Sequence, residues 1–431
     1  MADMVNVAGS ILIFVVCFCF FIRGKVHRTV VSMVGAGAML IFGTIRGFYL
    51  QSTAFGEIDF NTIGLLVGMM IIVAVLRRSG FFRYVAIKGV KLAKGDPWKL
   101  LVALGLITGF ISMIIDNVTT ILLVSPLTLL ISDILGINPL PLLIGEVVLS
   151  NIGGVATMVG DPPNIMIASA SGLTFNSFIL HLMPVSVCAG IVSIVFFKII
   201  FSSSLRRKED RIRKLSQLRE EGSIKDKKVL LNCIISLSLV FSLFATEEIH
   251  HLKPAFVALL GATITLVIVG RGEVESILSE IEWSVLFFFA SLFVIVGGVD
   301  QAGFLELIGR ALTGVSSNPL ILALVIMWLS AIFSAFVDNI PCTAAMIPVI
   351  KHLGAMGVDI NPLWWALAIG AGFGGNGTPI GSSAGVIVMG ITDKTSYPID
   401  LKMWIRSAGV ATLLTTGLAS LFFILGFSFF S

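Results

Sequence analysis

The sequence predicts an all-α polytopic membrane protein of two inverted-topology repeats. Each repeat has three helices, a re-entrant hairpin, a broken helix and a final helix, giving about 10 crossings plus 2 hairpins. Three observations lead there. Of 431 residues, 56% are hydrophobic and only 13% charged, far from the balance of a soluble domain. Apolar stretches approaching or exceeding the roughly 18 to 20 residues that cross a hydrocarbon core recur along the whole chain. Finally, the Asp-Asn pair in "SMIIDNVTTILLVSP" (112–126) returns 222 residues later in "SAFVDNIPCTAAMIP" (334–348). A β-barrel is excluded because its strands would alternate polar with apolar positions.

The first repeat reads as spans near 7–22, 28–46 and 60–77, a hairpin over 98–133, a broken helix over 142–168 and a last span over 179–200. "MADMVN" before the first span has no basic n-region and no A-x-A site follows, so that span is expected to stay rather than be cleaved. The second repeat has spans near 229–246, 254–270 and 283–299, a hairpin over 320–352, a broken helix over 363–390 and a last span over 404–428. Ser112, Asp116, Asn117 and Pro126 match Ser334, Asp338, Asn339 and Pro348. "INPL" recurs at 137–140 and 360–363, and "GGVATMVG" (153–160) matches "GGNGTPIG" (374–381). Domain limits follow as 1–201, a basic cytoplasmic linker at 202–228 with ten basic and five acidic residues, and 229–431.

Each half contributes an odd number of crossings, so the halves run antiparallel. Basic residues should favour the cytoplasmic side. With the N-terminus outside, 25 of 29 fall inside, leaving Arg46, Lys253, Arg310 and Lys351 outside. Both termini are therefore expected to be extracytoplasmic, and topology accounts for the net charge of +4. Cys17, Cys19, Cys188, Cys233 and Cys342 lie in apolar segments without metal-ligand spacing, so neither disulfides nor a structural metal is expected. The five histidines fall near membrane boundaries, which argues against an intramembrane enzyme.

An ionised carboxylate at bilayer depth costs at least about 2.5 to 3.5 kcal/mol, yet Asp116 and Asp338 both stand where a hairpin turns. Helix capping explains the position but does not require an acid, since serine caps at lower cost. "NIGGVATMVGDPPN" (151–164) and "GFGGNGTPIGSSAG" (372–385) break their helices with glycine and proline and leave backbone groups to line a cavity. Asn151, Thr157, Asn164, Asn376 and Thr378 add neutral ligands there, suited to hard cations or a polyol-like solute. Asp161 is matched by Ser382 and Asn164 by Gly385, so the first half is the more acidic. Glu146, on the helix leading into the first break, reads either as a proton carrier or as a neutral core residue. No Arg, Lys or His occurs within either hairpin tip or broken helix, which disfavours a di- or tricarboxylate substrate.

"DNVTTILLVSP", "EVVLSNIGGVATMVGDPPNIMIAS" and "VDNIP" followed by "GGNGTPIGSSAG" resemble the ArsB/NhaD permease family of the ion transporter superfamily. That group includes arsenite/antimonite efflux permeases, sodium/proton antiporters and P-protein-like members. The resemblance implies a scaffold part and a transport part, with Asp116, Asn117 and Thr119 at one hairpin tip and Asp338 and Asn339 at the other. It places Gly153, Gly154, Thr157, Asp161, Pro162 and Asn164, then Gly375, Asn376, Gly377 and Thr378, at the helix breaks. Where relatives carry "GTLIGASAN", Pro379 and Gly385 depart from the pattern. Cys342 stands near the second tip, a thiol that could attract arsenic or simply pack.

The expected function is secondary transport: proton-coupled efflux of arsenite or antimonite with Asp116 and Asp338 as proton carriers, or sodium/proton antiport on the same residues. An organic anion transporter is the third alternative. The expected setting is the plasma (inner) membrane. The expected partners are the inorganic substrate, protons, lipid, a second copy in a homodimer and a cytoplasmic ATPase subunit, with no cofactor and no nucleic acid.

Overall fold

In the computed structural model, residues 3–202, 204–205, 224–269 and 272–431 are described, and every regular element among them is helical. The first half comprises α1 (Met4–Arg23), α2 (Arg28–Arg46), α3 (Phe60–Arg78), α4 (Phe81–Leu92), α5 (Pro97–Ser112), α6 (Asn117–Leu135), α7 (Leu140–Val155), α8 (Pro162–Ser171) and α9 (Phe175–Ile200). The second comprises α10 (Lys227–Ala245), α11 (Pro254–Val269), α12 (Trp283–Gln301), α13 (Phe304–Val315), α14 (Pro319–Val337), α15 (Asn339–Ala355), α16 (Asn361–Gly374), α17 (Ser383–Thr392) and α18 (Leu401–Leu425). Short helical segments at Gln51–Glu57, Glu247–His250, Val274–Leu278 and Phe427–Phe430 connect or end them. Most of the 202–228 linker lies outside the described residues.

Among the described residues, nine helices have the length and apolarity to cross a membrane: α1, α2, α3, α6, α9, α10, α12, α14 and α18. The shorter α5, α7, α11 and α17 are apolar as well. Local chemistry starts these helices. Asp59, Asp96, Asp226 and Asn318 each accept a backbone N–H at an N-terminus, and Pro97 and Pro319 occupy first positions where no N–H is needed. Gly136 ends α6 at φ 60°, a left-handed conformation that glycine adopts without strain.

The second half repeats the first element for element. α5 packs along α7, as α14 does along α16, and α2 meets α12 as α3 meets α11. The fine contacts also repeat: Gly153 abuts Gly109, and Gly374 abuts Ala331, so closely that a Cβ on either glycine would collide with backbone. Small residues at helix crossings are how membrane helices approach this closely. α4 and α13 were not among the spans read from the sequence. They are 12-residue amphipathic helices with Arg83, Lys88 and Lys91 on one and Glu306 and Arg310 on the other. Such helices present one polar face and one apolar face rather than spanning.

Candidate substrate site at the hairpin tips and helix breaks

The α5–α6 and α14–α15 hairpins carry Asp116 and Asp338 at their tips, and residues 156–161 and 375–382 interrupt the α7–α8 and α16–α17 helices. Each aspartate caps the second arm of its hairpin: Thr119 N donates to Asp116 Oδ1 (2.8 Å) and Ile340 N to Asp338 Oδ1 (3.3 Å). The two tips turn differently. Three residues separate α5 from Asp116, whereas Asp338 alone joins α14 to α15, at φ 98° and ψ 146°. A non-glycine residue in that region is strained by roughly 1–3 kcal/mol and persists only where its surroundings over-determine it.

Between the tips lies a buried amide–carboxylate network. Asn117 Nδ2 donates to Asn151 Oδ1 (2.9 Å) and to Asp161 Oδ1 (3.5 Å). Asn151 Nδ2 donates onward to Asn376 Oδ1 (2.8 Å) and, at 3.0 Å, to Ser382 Oγ. Asn339 Nδ2 donates to Asp161 Oδ2 (2.9 Å), so one carboxylate receives an amide from each hairpin. Asn151 and Asn376 are fully buried and Asp161 is 1% exposed. A Trp404 Nε1 hydrogen bond to the Asn376 carbonyl (3.0 Å) anchors the second break.

Other expected ligands serve the backbone. Thr157 Oγ1 donates to the Met113 carbonyl (2.5 Å) and Thr378 Oγ1 to the Ala335 carbonyl, repeat-related ties that stitch each break to its own hairpin. Asn164 Nδ2 donates to the carbonyls of Val155 (2.9 Å) and Thr157 (2.7 Å), satisfying groups freed by the first break. Gly154 and Gly375 lie against the carbonyls of Gly160 and Gly381, where a side chain would crowd them; Gly377 packs on Ala335, and Pro162 starts α8. Gly385 approaches the Pro379 carbonyl too closely to admit the asparagine that the first half has at Asn164. Cys342 is fully buried with Sγ 3.5 Å from the Ser330 carbonyl, so it faces α14 rather than the network.

The hairpin tips and broken helices carry no cation of their own, but the fold brings one to them. A cation does stand at the second tip: Arg28, from the start of α2, donates to Asp338 Oδ2 (3.1 Å) and to Ser383 Oγ (2.6 Å) and lies 5.4 Å from the centre of the Phe288 ring. Arg28, Asp338 and Ser383 line a cavity of about 350 Å³ beside His27 and Gly24. Glu282, just before α12, is half-buried near both Arg28 and Asp116. Burial pushes its carboxyl up to about 7, Asp116 adds to the effect, and Arg28 and Arg77 oppose it. Sequence spacing could not find Arg28 or Glu282, which belong to helices remote in the chain. Ser382 was readable as the counterpart of Asp161.

Polar groups gathered at the interrupted helices of a repeated membrane fold define a secondary transporter. The chain belongs to the CitMHS family, described as citrate transporters, which residues 18–370 match. It is 41% identical over 420 residues to an uncharacterized transporter of Mycobacterium tuberculosis, covering 96% of this chain and 97% of that one. A second uncharacterized transporter of the same organism is 39% identical over 423 residues with the same coverage. The human P protein is 32% identical over 483 aligned residues, which cover 93% of this chain and 57% of the P protein. The crystal structure of the Alcanivorax borkumensis YdaH transporter, described as having an unusual topology, shares the fold. Its TM-score is 0.60 at 16% identity, covering 88% of this chain and 89% of that one. The family and both mycobacterial relatives are named as transporters, not as enzymes.

Proposed function

We propose that this transporter exchanges protons for a cargo without negative charge, arsenite or antimonite hydroxide, at the network between the two hairpin tips. The observation that carries this reading is the charge balance of the site. Among the described residues, Asp116, Asp161 and Asp338 have one guanidinium in contact, Arg28 at Asp338, so the ionised site is negative and suits protons, a cation or a neutral hydroxylated solute. The amides of Asn117, Asn151, Asn339 and Asn376 supply donors and acceptors for hydroxyl groups. Asp116 and Asp338 are the proton carriers in this scheme. The excess of basic residues on one side supports a plasma-membrane orientation with both termini extracytoplasmic.

Citrate is the second reading, favoured by Arg28 beside an open cavity and by the family's description. A guanidinium fork binds carboxylates well, but a trianion would also meet the three aspartates. Proteoliposomes with an imposed pH gradient, assayed in parallel for arsenite, antimonite, sodium and citrate, test both. Arsenite or antimonite flux accompanied by proton countermovement is expected. Citrate flux alone replaces the reading with the second, and sodium-driven proton movement without metalloid flux leaves the proton exchange but changes the cargo.

A further inference from the structure

Away from the tips, α6 and α7 share a second polar contact. Ser125, Thr128 and Ser132 follow one another at helical spacing on the face of α6 that meets α7, and Glu146 of α7 faces them. All four are fully buried. Thr128 Oγ1 donates to Glu146 Oε1, and Ser125 lies one turn before Thr128 on the same helix. Glu146 Oε2, Ser125 Oγ and Ser132 Oγ have no hydrogen-bond partner among the described residues. No charged side chain on the helices packed against α7, which are α5, α6, α9, α16, α17 and α18, acts on Glu146.

The repeat provides an internal control. In the register that pairs Asp116 with Asp338 and Gly153 with Gly374, the counterparts of these residues are Ile347, Ile350, Gly354 and Leu367. Ile350 and Leu367 are fully buried and Ile347 is nearly so. The same helix–helix contact is therefore built from hydrocarbon in the second half, and packing does not call for a carboxyl group in the first. An unpaired buried carboxylate is destabilising by several kcal/mol, and orphaned buried hydroxyls add to that.

We propose that Glu146, with the hydroxyls of Ser125 and Thr128, holds a small monovalent cation, a proton or a sodium ion, at a second intramembrane site confined to the first half. Either cation neutralises the carboxylate, and the hydroxyl oxygens complete its surroundings. The site lies on the helix that carries Asn151 into the tip network, so its occupancy bears on the position of Asn151.

The test is thermal unfolding of the purified full-length protein in detergent, from pH 6 to 9, in sodium chloride and in choline chloride. A bound sodium ion raises the wild-type midpoint by a few degrees in sodium over choline, because a ligand specific to the folded state stabilises it. A bound proton instead gives a midpoint that falls with rising pH in either salt. Glu146→Gln, which keeps the shape, is expected to abolish whichever response is seen. The Asp116→Asn/Asp338→Asn double variant is expected to retain it, which separates this site from the tips. A wild-type midpoint insensitive to both sodium and pH, or a Glu146→Gln variant with the wild-type response, overturns the proposal. Should Glu146→Gln not fold, Thr128→Val carries the same test: sodium affinity lowered about ten-fold, or for a proton a pH response displaced to higher pH because the donor to the carboxylate is gone, supports the site, and a response unchanged from wild type refutes it.

Discussion

Arg28→Gln is the perturbation that most directly reports on the cargo. The guanidinium lies 3.1 Å from Asp338 Oδ2, and the two side chains are 32% and 13% exposed. Unit charges about 4 Å apart attract by roughly 4 kcal/mol at an effective dielectric of 20. Partial exposure and the relief of desolvation reduce the net value to about 1–2 kcal/mol, between the surface and buried ranges. A positively charged or proton-donating ligand at Asp338 must displace that guanidinium. Its loss should therefore tighten apparent cation binding by about ten-fold, each 1.4 kcal/mol being a factor of ten. An anionic cargo held by Arg28 should instead bind about ten-fold more weakly. Initial-rate flux in proteoliposomes, with KM measured for each cargo, distinguishes the two. Arg28→Lys keeps the charge but loses the guanidinium Nη1 that donates to both Asp338 and Ser383, so it should fall between wild type and Arg28→Gln. Unchanged KM for every transported cargo in Arg28→Gln would refute the idea that this guanidinium and the cargo share Asp338.

Asp116→Asn should abolish proton-coupled flux while changing stability by less than about 1 kcal/mol, because asparagine caps as well as aspartate; wild-type coupled flux in the variant, measured by a pH-sensitive dye, removes Asp116 from the exchange. Asn151→Ala deletes one accepted and two donated hydrogen bonds in a fully buried network and strands Asn376 Oδ1, so a loss of about 3–5 kcal/mol is expected. A melting midpoint equal to wild type would show that the network does not hold the breaks together. Burial opposes ionisation of Glu280, but Arg77 and Arg78 outweigh it and hold this carboxyl below its usual value of 4.5. The resulting stabilisation is complete above pH 4.5 and is lost as pH falls through the lowered value; Glu280→Gln should erase that acid-side loss, by about 1 kcal/mol after screening by solvent. Identical acid denaturation curves for variant and wild type would contradict it.

Much of this site was legible because membrane helices rarely break without cause. Glycine and proline at 153–163 and 374–379 mark the interruptions, and the repeated Asp-Asn pair marks the turns. The register of the repeat even identified Ser382 with Asp161. Arg28 was illegible for a physical reason: it is 310 residues from Asp338, and its basic side chain at a helix start looks like any topology-setting charge. Cys342 stayed open between thiol chemistry and packing because proximity to Asp338 in sequence says nothing about which face of α15 it occupies, and that face turns toward α14. Likewise, Thr157 and Thr378 look like ligands by composition, but their hydroxyls satisfy hairpin carbonyls left without helical partners. The helices α4 and α13 escaped notice because 12 amphipathic residues lack the sustained apolarity that reveals a span.

The two threonine stitches have a mechanical consequence. Each hairpin is pinned to its own broken helix, while α15 rests on α8 and α6 on α17 across the halves. The two hairpins and the two broken helices thus pack together as a single cassette. Under the proposed exchange the cargo would be met inside the cassette, and the Arg28 bond to Asp338 is a polar tie between that cassette and α2.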